Sequence, residues 1–200
     1  MEGREHNGVV VTTTSNADET QTRTWIDGWQ GERTKSGEIA GSASFQVAEG
    51  YDLGGATHVG ICEIRGDDID AVARVIGTQD GETTAGYTKI AEFGPIKDGV
   101  TRGVVLVFTD CDDPTHEDTY NEWYSGHLHH TVESIDFYAA TRYVSNDPSR
   151  TPSKYLAIYE TENTDPAQVQ KDGVTWWIEG GFEGPPGMVL RNEVPVERVD

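Results

Sequence analysis

The run "GVVVTTT" at residues 8–14 returns as "GVVLVFT" at 103–109, so a strand-forming segment recurs after about half of the 200 residues. A chain written this way is constrained to a paired architecture. Each copy is short and β-branched, which reads as a buried strand, and each is followed by a polar turn and an aromatic-bearing helix pattern. The first helix pattern carries Trp25 and Trp29, the second Tyr120, Trp123 and Tyr124. Further on, "HVGICEI" at 58–64 matches "YLAIYET" at 155–161, setting Gly60 against Ala157, Ile61 against Ile158 and Glu63 against Glu160. "IAEFGPI" at 90–96 resembles "LRNEVPV" at 190–196, with Pro95 and Pro195 in the same place near a strand end.

Each half therefore reads as strand, helix, strand, strand, helix, strand. The pattern predicts strands near 8–14, 39–48, 57–64 and 86–93 with helices near 17–31 and 67–77. In the second half it predicts strands near 102–109, 137–145, 154–161 and 187–197 with helices near 114–132 and 165–171. This order is that of the ferredoxin-like βαββαβ unit, an antiparallel α+β fold with both helices on one sheet face. A sheet covered on one side only leaves apolar area exposed, so two units are expected to pack their sheets face to face. The turn-rich "GPIKDGVTRG" at 94–103 marks the boundary between a first repeat, 1–98, and a second, 99–200.

Charge limits the partners. The formal net charge of −20 repels phosphate backbones and anionic lipid, so neither nucleic acid nor a membrane is expected as a partner. No apolar run approaches the roughly 18 residues of a spanning helix, and the first residues lack the order of a secretion signal, so a cytoplasmic protein is expected. Cys62 and Cys111 lack zinc spacing and read as reduced thiols.

"EWYSGHLHHTVES" at 122–134 places three histidines in four positions. Asp113 as N-cap, Pro114 in the first helical position and Glu117 with Asp118 behind them set the start of that helix. Tyr120, Trp123, Tyr124, His127 and Thr131 then fall on one stripe facing the sheet, His129 faces water, and His130 lies at the stripe's edge. His127 with His130 lacks a third metal ligand, and "DCDDPTHED" at 110–118 reads as a capped helix start, so no metal is expected. An inward imidazole beside Tyr and Trp suits proton transfer, although it equally suits a core hydrogen bond. No dinucleotide, phosphate-loop or nucleophile-elbow motif is present, which argues against nucleotide cofactors and acyl-enzyme chemistry.

"NEWYSGHLHHTVESIDFYAATRYV" at 121–144 resembles the motif of EthD-like proteins, in which a Trp–Tyr pair precedes a His-hydrophobe-Pro step and an aromatic strand ending in Arg-Tyr. Those proteins belong to the dimeric α+β barrel superfamily. The resemblance implies a pseudo-dimeric barrel within one chain and allows a homodimer of the two-repeat chain. Carried over position by position, Trp123, Tyr124 and His127 match the helix and Phe137, Arg142 and Tyr143 the strand; His129 stands where the family usually has proline. The first half offers Glu32 and Arg33 where the second offers Gly126 and His127, which implies one pocket, in the second half. His58 is read as structural.

The expected site lies between the second sheet and its helices. His127, Tyr124 and Tyr120 are the candidate catalytic residues, and Trp123, His130, Arg142, Tyr143, Tyr159, Trp176 and Trp177 the candidate substrate-binding ones. Arg142 would hold a carboxylate or phenolate through its planar fork, or else make a surface salt bridge. The segment 173–189 reads as a lid or a packing patch. The resulting expectation is an enzyme without a cofactor, an isomerase, cyclase or lyase acting on a small hydrophobic oxygenated ring. A carrier protein using the same cavity is the alternative, and haem- or oxygen-dependent oxidation the third reading.

Overall fold

The structure, a computed structural model, describes residues 5–15, 39–76, 82–94 and 100–199. The helix expected near 17–31 lies outside them, and so do Glu32 and Arg33. Strands β1 (Gly8–Thr14), β2 (Ile39–Val47), β3 (His58–Ile64) and β4 (Glu82–Phe93) occupy the first half, with helix α1 (Ile69–Ile76) between the last two. The second half carries β5 (Gly103–Cys111), α2 (Glu117–Ser134), β6 (Ala139–Ser145), β7 (Tyr155–Thr161), α3 (Pro166–Glu179) and β8 (Met188–Arg198).

All strand pairs are antiparallel, and they close into one barrel in the order β1, β3, β2, β8, β5, β7, β6, β4, with β4 returning to β1. Within each half the order is last strand, first, third, second. The halves join edge to edge through β2–β8 and β4–β6, so the two expected sheets are one continuous cylinder. Closure leaves no free sheet edge. No helix among the described residues is long and apolar enough to cross a membrane.

Alternation along the strands sorts the side chains. Val9, Val11, Phe45, Val59, Ile61, Leu106, Phe108, Leu156, Ile158, Val194 and Val196 fill the interior and are buried. Each contributes roughly 1.5–3 kcal/mol of burial. The opposite faces of β1 and β3 give Val10, Cys62 and Ile64 to α1, which answers with Ile69, Val72 and Ile76. Those of β5 and β7 give Val105, Val107, Tyr155, Ala157 and Tyr159 to α2 and α3, through Tyr120, Tyr124, Leu128 and Val169. The matched strands also share register: Gly8 pairs with Ile64 and Gly103 with Thr161. Both glycines admit a neighbour, since a Cβ would lie 2.0 Å from Ile69 Cδ1 at Gly8 and 2.7 Å from Pro166 at Gly103.

Two elements run longer than expected. β4 starts at Glu82 because the threonine-rich segment at its start pairs with Thr12–Thr14 of β1. α3 continues to Glu179 through Gly173, where a Cβ would stand 3.2 Å from Ile135 Cδ1. Trp176 and Trp177 therefore belong to a helix, and only the residues after Glu179 form a loop.

Candidate functional site

Asp113 accepts from Thr115 N and starts a single 3-10 turn, Pro114–His116, that leads into α2. Asp165 does the same for α3 by accepting from Gln168 N, with Pro166 in the first turn. These two Asp-Pro starts fix the helices against the outer face of the second half. Between helices and strands lies a cavity of about 580 Å³.

Trp123, Tyr124, His127 and Thr131 of α2, Trp176 and Trp177 of α3, Phe137, and Tyr159 of β7 line it, joined by Gln170 and Glu193. Such a wall, mostly aromatic with a few polar groups, has the character of a small-molecule site. Among the described residues its lining includes no Lys or Arg.

His127 sits in an aromatic corner. Its ring stacks on Trp123 at 4.8 Å, and Trp177 and Tyr124 meet it edge-on at 5.1 and 5.4 Å. Burial, reinforced by the neighbouring His130, pushes its pKa down to about 4, so the imidazole is neutral at pH 7. The Thr131 hydroxyl donates to the His127 carbonyl at 2.9 Å and stands 3.3 Å from the ring Nε2.

The Tyr159 side chain is 3% exposed, yet its hydroxyl has no hydrogen-bond partner. Tyr124 and Thr131 face it, but neither reaches hydrogen-bond geometry. Burial raises both the Tyr124 and Tyr159 phenols, so each stays a neutral donor at neutral pH. A buried hydroxyl left without a partner costs about 1–3 kcal/mol, and Tyr159 is a residue of the cavity wall.

Arg142 is 1% exposed. Its guanidinium lies 4.8, 4.4 and 4.6 Å from the ring centroids of Tyr120, Tyr124 and Tyr155. Nε and Nη2 have no hydrogen-bond partner. The surface salt bridge is thereby corrected: the residue is a buried cation in a tyrosine cage, one layer behind the wall. Its charge favours ionised phenolate at Tyr124 and Tyr159, although burial outweighs it. The Tyr155 hydroxyl donates to Glu117, which Lys154 also holds.

Of the ten residues singled out beforehand, Trp123, Tyr124, His127, Tyr159, Trp176 and Trp177 meet in the wall. Tyr120 stands behind it, its hydroxyl 2.7 Å from Thr109 Oγ1. Tyr143 points into the barrel and meets His6 Nε2 at 3.0 Å. It follows Arg142 directly, and consecutive strand residues face opposite sides. His130 is exposed beside Trp176 and Phe182. His129 is exposed as expected, while its ring rests 3.5 Å from that of Phe93. His58 is outside the cavity and meets Thr57 Oγ1 at 3.0 Å. Sequence reasoning missed Glu193 and Gln170; counting back from the interior Val196 and Val194 would have turned Glu193 toward the helices.

Among the described residues no cluster of three or more His, Cys, Asp or Glu could hold a metal, and Cys62 and Cys111 are free thiols. Among the described residues, His127 is the imidazole of the wall that would hold a haem iron, which would supply redox chemistry there. An acidic cofactor would find no lining cation among the described residues.

No known family model matches the sequence, and no curated protein matches it. Solved structures do match in fold. A mutant chlorite dismutase from Candidatus Nitrospira defluvii, solved with cyanide, has a TM-score of 0.58 at 12% identity, covering 98% of this chain and 92% of its own. A monooxygenase-like protein from Listeria innocua gives 0.51 at 10% identity, over 98% and 95% of the two chains. An anthrone oxidase-like protein gives 0.50 at 11% identity, over 100% and 94%. At these identities the likeness concerns the fold: an antiparallel α+β barrel of ferredoxin-like strand order.

Proposed function

We propose that the chain is an EthD-like enzyme arisen by tandem duplication, cofactor-independent, using general acid–base catalysis on a small hydrophobic oxygenated ring compound. In this reading the second half, 99–200, holds the site and the first, 1–98, closes the barrel. The unpartnered hydroxyl of Tyr159, buried in an aromatic wall beside a neutral imidazole, is the observation that carries it. A ring slots between Trp123, Phe137 and Trp177, and its carbonyl or phenolic oxygen takes the Tyr159 hydrogen bond that the protein leaves unmade. Tyr124 adds a second phenol, and Arg142 behind it favours negative charge developing on that oxygen. His127, neutral at pH 7, enters as a proton acceptor or as an N–H donor. Isomerisation, cyclisation and hydration or elimination all fit such a set.

The test is a turnover screen of bicyclic and tricyclic ketones and phenols with the wild type and His127→Ala. The variant is expected to keep its circular dichroism and to lose turnover by about 10²–10⁴-fold. A fully active variant would contradict the role of His127. Ligand binding without any turnover, indifferent to His127, would favour a carrier. A second reading, oxidation of the same kind of ring, is suggested by the names of the monooxygenase-like and anthrone oxidase-like neighbours. Native mass and visible absorption separate it: an added mass or a Soret band marks a retained cofactor.

A further inference from the structure

Among the described residues the aromatic wall holds one carboxylate. Glu193 lies on β8, whose next inward residues are Val194 and Val196, so alternation turns it toward α3 and the cavity. A bulge places Leu190 on the same side: Phe108 pairs with Asn192 but Thr109 with Leu190, leaving Arg191 outside the register. Arg191 is spent at the surface on Asp110 and Asp112, at 2.6 and 2.7 Å. Bulges of this kind re-aim side chains beside functional sites.

The residue facing this carboxylate is held from the other half of the chain. Tyr51, in the loop after β2, donates to Gln170 Oε1 at 2.8 Å. With its oxygen so engaged, the Gln170 amide has its NH₂ group left to donate, and Gln170 faces Glu193 and favours its charged form. Glu197, four residues further along the same strand, is exposed by contrast. A strand acid with no structural task would be expected to face water as Glu197 does.

We propose that Glu193 is the proton-accepting residue of this cavity, with Gln170 and, through it, Tyr51 of the first half as its positioning residues. The inference rests on the acid–base reading above and divides its labour. The Glu193 carboxylate takes a proton from carbon next to the ring carbonyl and becomes a carboxyl. The electron pair of the broken C–H bond forms the enolate, whose oxygen is met by the Tyr159 hydroxyl and the neutral His127 N–H. Return of the proton to the same or a conjugated carbon restores the carboxylate, so the step needs no further reactant. A raised carboxyl works nearer neutrality than a depressed imidazole does. Burial raises Glu193 while the same environment lowers His127. The substrate class is accordingly an enolisable ring ketone, neutral as it enters, since an anion would meet Glu193 with no lining cation among the described residues to offset it.

The probe is 2-tetralone in deuterated buffer, with α-carbon exchange read by mass spectrometry and binding by tryptophan fluorescence. The wild type is expected to speed exchange at least about 100-fold over buffer. Glu193→Gln should bind the probe within about threefold and exchange at the buffer rate, and Glu193→Asp should retain part of the acceleration. The rate should fall below the Glu193 pKa as the carboxylate is protonated. Tyr51→Phe frees Gln170, the group that favours the carboxylate, and should move that limb to higher pH, a shift that a packing role would not produce. The other titratable groups facing Glu193 are Tyr51, whose phenol burial and the Glu193 charge both raise, and Tyr159 and His127 across the cavity. His127→Gln should slow exchange and leave the limb in place. Exchange at the wild-type rate in Glu193→Gln, or loss of the limb in His127→Gln alone, overturns the assignment while the acid–base reading stands. Binding without exchange by the wild type overturns both.

Discussion

The outer faces of the two halves share strand order and register but are lined differently. Over β1 and β3, the described cover is α1, whose Ile69, Val72 and Ile76 lie on Val10, Cys62 and Ile64, aliphatic against aliphatic with no histidine or aromatic ring. Over β5 and β7, the side chains include Tyr120, Tyr124, Tyr155, Tyr159 and Phe137. Flat rings meeting at angles from 15° to 88° do not close on one another as branched aliphatic chains do, and a cavity of about 580 Å³ remains. Among the described residues, one frame thus carries a close aliphatic contact in one half and a hollow in the other. The difference lies in side-chain shape, and the hollow face holds a buried hydroxyl, that of Tyr159, without a hydrogen-bond partner.

If the hollow face is for binding and the barrel interior for stability, substitutions should separate the two. The largest effect is expected for Phe45→Ala in the fully buried interior, about 3–5 kcal/mol in denaturant unfolding. Trp177→Ala, at the half-buried wall, should cost well under that and abolish binding of a ring probe. Equal losses of stability would erase the contrast.

Two tyrosines of adjacent strands sharpen it. Tyr143→Phe removes a hydroxyl that meets His6 at 3.0 Å and should cost about 0.5–1.5 kcal/mol. Tyr159→Phe removes one that has no partner, so stability should stay level or rise while probe affinity falls about tenfold.

A smaller effect follows from His127. Its folded pKa of about 4 lies below the ordinary 6.5, so between these values the unfolded chain binds more protons. The contribution is complete above about pH 6.5 and is lost as pH falls toward 4. Melting temperature should therefore drop over that window more steeply in the wild type than in His127→Gln. Parallel curves would mean that the imidazole is not desolvated.

The strands were legible because β-branched runs bounded by turns have few alternatives, and Glu63 and Glu160, aligned by sequence alone, both sit on inward-facing positions. The α2 stripe was legible because Asp113 and Pro114 set its phase. What escaped notice was parity and neighbours. Arg142 and Tyr143 were assigned to one pocket although adjacent strand residues must part. The helix expected near 165–171 runs on to Glu179, since Gly173 admits Ile135. Glu193 looked like any strand acid, and its environment comes from Gln170 and Tyr51, far away in sequence.

The decisive measurement is a crystal structure of the wild type with 2-naphthol, a ring with one oxygen. The ring should lie between Trp123, Phe137 and Trp177 with its oxygen about 3 Å from Tyr159 Oη. A naphthol seated elsewhere, or a cavity closed by its own side chains with the Tyr159 hydroxyl paired inside the protein, would contradict the assignment of this face as the site.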